Sequence, residues 1–181
     1  MSCSTYTLAG LNVGCKDSLG GIKEVYIADY GNVTTALDEN SSKITSITMA
    51  SNTKFKTFKF RKNTGALTST LQTSETAGNY FQNELTLQFM KMETHKRLQI
   101  MALLMNECVV IVKDVNGKYW FLGYDNPVEA SAGTAQTGTA AGDLNGYDVT
   151  LTDQSVALPY EVDIAIGAWD AILDPAPISA N

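Results

Sequence analysis

Charge is scarce in this chain. Asp, Glu, Lys and Arg make up 18% of the 181 residues, below the usual quarter. Much of the surface must therefore be neutral, which suits burial in an oligomer. Thirteen Lys and Arg stand against nineteen Asp and Glu, for a net charge of −6. Nucleic-acid affinity comes mainly from neutralising phosphates, so this balance argues against gripping DNA. It fits a surface past which DNA slides without sticking. The three cysteines, Cys3, Cys15 and Cys108, are too few for a disulfide framework and lack the spacing of a zinc site. They read as reduced thiols of an intracellular protein. No apolar run approaches a membrane-spanning length, and the N-terminus lacks a basic-then-apolar leader. Neither a transmembrane helix nor a signal peptide is expected.

What is present is β-pattern. The length and a 44% apolar fraction suit one domain over 1–181 with a real core. Residues 1–20 are Gly- and Ser-rich, with Tyr6, Leu8 and Leu11, and read as an extended arm. Strands are expected at 22–30, 44–49 and 79–92, with 31–42 as a loop. Between Thr53 and Lys62 the period of two slips. Phe55 falls on one face, Phe58 and Phe60 on the other, so this strand carries a bulge or leaves one core for another. It is expected to form a hairpin with 66–73. After the 79–92 strand the period changes to that of a helix, with Thr94 as N-cap. Leu98, Met101, Ala102 and Met105 share one face, which Ile100, Leu103 and Leu104 broaden, so the helix reads as well buried. Residues 107–113 return to strand. Asn116-Gly117 is the strongest hairpin signal. Residues 129–143 are a run of small side chains read as a long loop. Tyr147 to Thr152 is a strand, Pro159 ends regular pairing, and 164–181 is a C-terminal tail. The fold class is mainly β: an antiparallel β-sandwich or partial barrel of about eight strands with one flanking α-helix.

The residues offer little chemistry. His95, the single histidine, sits beside Lys96 and Arg97 in a first helical turn and reads as solvated. The carboxylates are scattered, with no spacing that selects an acid–base pair. Asp114 to Gly117 lacks the frame of a calcium loop and is explained by a hairpin. Gly133, Gly138 and Gly142 form no phosphate loop, because no Lys-Ser/Thr follows them. The basic run Lys54 to Lys62, interleaved with phenylalanines, could stack bases, but half core and half solvated face explains it better. No catalytic residue, metal site or cofactor is expected. Trp120 and Trp169 are read as core or interface residues rather than as a sugar platform.

The run Gly133-Thr134-Ala135-Gln136-Thr137-Gly138-Thr139-Ala140-Ala141-Gly142-Asp143-Leu144-Asn145-Gly146-Tyr147-Asp148-Val149-Thr150-Leu151 resembles a pattern in structural proteins of tailed phages infecting Bacteroidetes. Gly20 to Ala28 has the same character. With the surrounding 116–160 region, the resemblance covers about 50 residues. The resemblance implies a tail-tube-like fold and a subunit that assembles into sixfold or twelvefold rings, in a tail tube or a head-to-tail connector. It implies a virion location after synthesis in the host cytoplasm, neighbouring tail or neck proteins as partners, DNA passing through without specific binding, and no membrane. Phe58, Phe60, Gly133, Thr134, Gly138, Thr139 and Asp143 are the candidate subunit-interface residues. Other readings are a capsid decoration or fibre-base protein, a secretion-system tube, or a carbohydrate-binding β-sandwich.

Overall fold

The computed structural model of the chain describes residues 9–12, 18–76 and 78–174. Cys3, Cys15, most of the expected N-terminal arm and the 175–181 end of the tail lie outside the described residues. Two sheets pack face to face in a β-sandwich-like arrangement. The larger sheet is built around β7 (Cys108–Asp114). Cys108 to Val112 are all buried, so this strand has no wet face, as its unbroken apolar run demands. It pairs on one side with β1 (Ile22–Asp29) and on the other with β8 (Tyr119–Leu122). The Asn116-Gly117 hairpin joins β7 to β8, with Gly117 at φ 83°, a conformation that favours glycine. β2 (Val33–Asp38), β3 (Lys43–Met49), β4 (Lys56–Phe58) and β11 (Tyr160–Val162) complete seven strands in the order β2-β3-β11-β8-β7-β1-β4. Among the paired strands of the described residues only β11–β3 is parallel, and a parallel bridge also joins Phe55 to Leu173.

The smaller sheet holds β5 (Gly65–Ser74), β6 (Gly78–Met90), β9 (Glu129–Gln136) and β10 (Gly146–Ser155), in the order β5-β6-β10-β9. Along β6, Asn83, Leu85, Leu87 and Phe89 are buried, while Glu84 is exposed and Thr86 and Gln88 are half-exposed. This alternation marks a sheet with one dry and one wet face. The dry face meets Val25 and Ile27 of β1, Val110 and Val112 of β7 and Leu122 of β8, forming the main core. A second core lies on the far face of the larger sheet, where Ile44, Phe55, Ile111 and Phe121 cluster with Trp169 and Ile172 of α2 (Ile166–Ile172).

Several sequence expectations change here. Residues 31–42 contain a strand as well as turns. β-branched Val33, Thr34 and Thr35 pair with β3, and the Gly and Asn punctuation on either side only marks its ends. The slip in 53–62 does carry the chain from one core to the other. Phe55 is fully buried in the second core, and Phe58 and Phe60 pack on the first. The expected hairpin with 66–73 does not form. β4 pairs with β1 instead, and β5 pairs with β6. Eleven strands occur among the described residues, not eight.

The helix α1 spans Thr94–Met105, but its buried face is not the expected one. Ile100 and Leu103 point inward, while Leu98, Met101 and Met105 are 54%, 45% and 80% exposed. Two overlapping apolar stripes fit the same helical period, and the packing selects the narrower one. Glu93, not Thr94, occupies the N-cap position.

Gly146 is required where β10 begins. A Cβ there would lie 2.0 Å from the Phe89 carbonyl oxygen. The substitution Gly146→Ala should therefore destabilise the fold by about 3 kcal/mol, because backbone rather than a side-chain tip must yield. Gly31, with open space around it, is the control, and Gly31→Ala should stay within about 0.5 kcal/mol. Urea unfolding measures both.

Candidate assembly surface

The small residues of 129–136 form a strand rather than a loop. β9 pairs antiparallel with β10, Val149 opposite Gly133 and Asp148 opposite Thr134. Alanine and glycine are weak strand formers, so tertiary pairing overrides local preference. At Gly133 the smallness has a cause. α1 packs against the inner side of β9, and a Cβ on Gly133 would fall 2.7 Å from Leu104 Cδ2. A larger residue would force the Leu104 side chain to shift.

The loop proper is 137–145, and Asp143 organises it. Its Oδ2 accepts hydrogen bonds from the Thr139 N–H at 2.9 Å, the Thr139 hydroxyl at 3.0 Å and the Ala140 N–H at 2.8 Å. The two backbone donors, then the hydroxyl, hold this carboxyl below its ordinary value. Gly138 sits at φ 70°, where a Cβ would also meet Asp143 Cβ at 2.5 Å. Gly138, Thr139 and Asp143 are thus one self-bonded turn, adjoining Gly133 and Thr134 through β9. Phe58 and Phe60 belong elsewhere. Phe58 meets Phe89 edge-on at 6.0 Å, and Phe60 lies against Gly65 at the start of β5. Both are half-buried on the chain's own core. The candidate interface residues therefore divide between the two sides of the smaller sheet.

That sheet has two unpaired edges, β5 and β9. None of its four strands contains Lys, Arg or Pro, the residues that usually blunt a sheet edge. A bulge at Ser131 disturbs only the start of β9. Its outer face carries Thr and Gln with Glu84, Asp148 and Glu129. Asp148 accepts from Gln88 at 2.9 Å and from Gln136 at 3.1 Å, tying three strands together. The missing edge protection was readable in the sequence only once β9 was known to be a strand.

One polar rung interrupts the dry face. Asn83 and Asp153 stand opposite each other, 1% and 4% exposed. The Asn83 amide donates to Asp153 Oδ1 at 2.6 Å, and the Gly123 N–H donates to Oδ2 at 2.8 Å. Burial raises the Asp153 carboxyl, outweighing these bonds, and Asp125 adds to the rise. Cys108 is buried, and burial, with a smaller effect of Asp29, pushes its thiol up to about 12, so it is a poor nucleophile at neutral pH. His95 is not the solvated residue expected. It is half-buried, and its Nε2 is buried without a partner. Trp169 stacks on Tyr119 at 4.3 Å, so it presents no free platform.

Two outcomes test these local readings. A raised folded-state carboxyl costs stability as pH climbs from the unfolded value through the folded one. Asp153→Asn removes that cost, so the variant's stability relative to wild type should fall as pH drops from 7 to 4, in urea titrations. Asp143→Ala should speed amide exchange at Thr139 and Ala140 several-fold, read by NMR, and leave the β6–β10 ladder unchanged. Comparison of the chain with protein-family models, with curated proteins and with solved structures finds no match.

Proposed function

We propose that this chain is a non-enzymatic virion protein, the ring-forming subunit of a phage tail tube or head-to-tail connector that builds a DNA-conducting channel. The observation that carries this is the four-stranded sheet with two bare edges and a cation-free outer face. The β5 edge of one copy offers N–H and C=O groups to the β9 edge of the next. Different patches meet, so the contact is heterologous, and it closes into a ring when the rotation fits, six or twelve copies in this reading. The outer face, with Glu84, Asp148 and Glu129 and no Lys or Arg, then lines a bore that repels phosphates weakly. Neighbouring tail or neck proteins would cap such a ring.

Light scattering and negative-stain imaging of the purified chain test the reading. Closed sixfold or twelvefold rings with a central channel are expected, and they should retain no DNA at physiological salt. Thr70 on β5 and Ala132 on β9 are exposed. Thr70→Lys or Ala132→Lys should leave unfolding stability within about 0.5 kcal/mol yet convert rings to monomers. A wild-type chain that stays monomeric at high concentration contradicts the proposal, as do rings that survive both lysines.

A further inference from the structure

We infer that Asn116 is a modification site. Its side-chain amide clasps the backbone of Leu19, and deamidation at the Asn116-Gly117 step breaks that clasp and releases residues 18–20 from the β7–β8 turn. The inference is independent of how copies assemble.

The clasp begins where a ladder runs out. β1 and β7 pair as far as Ile22 opposite Asp114. One step further, the Val115 N–H donates to the Gly21 carbonyl at 3.2 Å. The chain then turns at Asn116-Gly117, and the Asn116 side chain stands where the next backbone partner would be. Its Oδ1 accepts from the Leu19 N–H at 2.9 Å, and its Nδ2 donates to the Leu19 carbonyl at 2.9 Å. A primary amide carries the donor and the acceptor of a peptide group, so it satisfies both, whereas an ionised carboxylate has acceptors only. Packing adds little here. Leu19 is 66% exposed, and a Cβ on Gly20 would meet open space.

The same residue opens a reactive step. Asn116 and Gly117 are exposed, and Gly117 has no Cβ to hinder its backbone nitrogen. Once the amide leaves Leu19, the Gly117 nitrogen attacks Asn116 Cγ. The N–Cγ bond forms and the Cγ–Nδ2 bond breaks. The proton passes from the Gly117 nitrogen through water to the departing ammonia. Water then opens the cyclic imide. Cleavage at Cγ leaves an aspartyl residue, and cleavage at the main-chain carbonyl leaves the isoaspartyl form, with one more carbon in the backbone. Either product carries a carboxylate in place of the amide, so acceptor faces acceptor at the Leu19 carbonyl.

The clasp also guards the step. It holds the Asn116 amide toward Leu19, while the Gly117 N–H is turned to the Asp114 carbonyl at 3.3 Å. Nucleophile and target are each engaged elsewhere until Leu19 lets go. The chain's other Asn-Gly step is the contrast. Asn145 Oδ1 accepts from the Met92 N–H at 3.2 Å. Gly146 is buried, with the Phe89 carbonyl oxygen 2.0 Å from where a Cβ would lie. Such packing leaves no room for an imide ring.

Ageing the purified full chain in mildly alkaline buffer tests this, with peptide mapping by mass spectrometry reading aspartyl and isoaspartyl products at both steps. Asn116 should convert faster than Asn145. Leu19→Pro deletes the N–H that Asn116 Oδ1 accepts, and one lost hydrogen bond shifts an opening equilibrium about fivefold. Conversion at Asn116 should therefore quicken about fivefold, with Asn145 unchanged. Asn116→Asp, which installs the aspartyl product directly, should speed amide exchange at Leu19 at least about fivefold and leave β7 as protected as before. Circular dichroism confirms that both variants fold, and the second needs nothing from the first. The inference is overturned if Asn116 converts no faster than Asn145, or if Leu19→Pro leaves its rate unchanged. An Asn116→Asp chain whose Leu19 amide stays protected overturns it as well. Ring formation, present or absent, bears on the assembly reading alone.

Discussion

The ladder between β6 and β10 is the constraint on which the rest depends. It joins ten residue pairs without interruption, from Gly146 opposite Met90 to Ser155 opposite Phe81. Leu85, Leu87 and Phe89 stand against Leu151, Val149 and Tyr147, so each inward position doubles the apolar surface offered to the larger sheet. A slip of one residue would turn Glu84 and Gln88 inward and the leucines outward, and the register is therefore strongly fixed. The Asn83–Asp153 rung adds a directional lock at some cost in stability, because a buried carboxyl stays only where its bonds are made. Gly146 lets the ladder begin directly over the Phe89 carbonyl.

From that ladder follows a division of labour. The seven-stranded sheet is covered on both faces, by the smaller sheet on one side and by α2 with the second core on the other. It has little left to offer a partner except its short outer strands. The smaller sheet is dry on one face only, and both its edge strands are eight residues or longer. The two longest open edges, β5 and β9, and a neutral-to-acidic outer face therefore lie on one half of the sandwich. Assembly by that half is the economical reading of where the molecule leaves its hydrogen-bonding capacity open.

The sequence announced the elements with the strongest periods. The β6 alternation, the Asn116-Gly117 hairpin, the DVTL strand and the helix after Thr94 were all legible. The jump of the 53–62 segment between two cores was legible too, from three phenylalanines that change sides. What was not legible depended on contacts across the chain. β9 reads as a loop because alanines and glycines carry no strand signal of their own, and at Gly133 the Leu104 side chain occupies the space a Cβ would take. α1 carries two apolar stripes, and only the placement of β9 decides that Met101 and Met105 face outward. The partner of β4 is β1, some thirty residues earlier by the numbering, and no local pattern distinguishes that pairing from a neighbouring hairpin. Of the candidate interface, Gly133, Thr134 and the Asp143 turn lie on or beside an open edge. Phe58 and Phe60 are committed in large part to the chain's own core, and the β5 edge beside them carries no local signal that marks it as open.

In the proposed assembly, copies join through the β5 and β9 edges of the smaller sheet. Amide hydrogen exchange, followed peptide by peptide in the monomer and in the assembled particle, addresses it most directly. Pairing of these edges gives new protection on assembly in 65–74 and 129–136 together, with β7 equally protected in both states. Assembled particles in which both edge strands exchange at the monomer's rate, with new protection confined elsewhere, would contradict it.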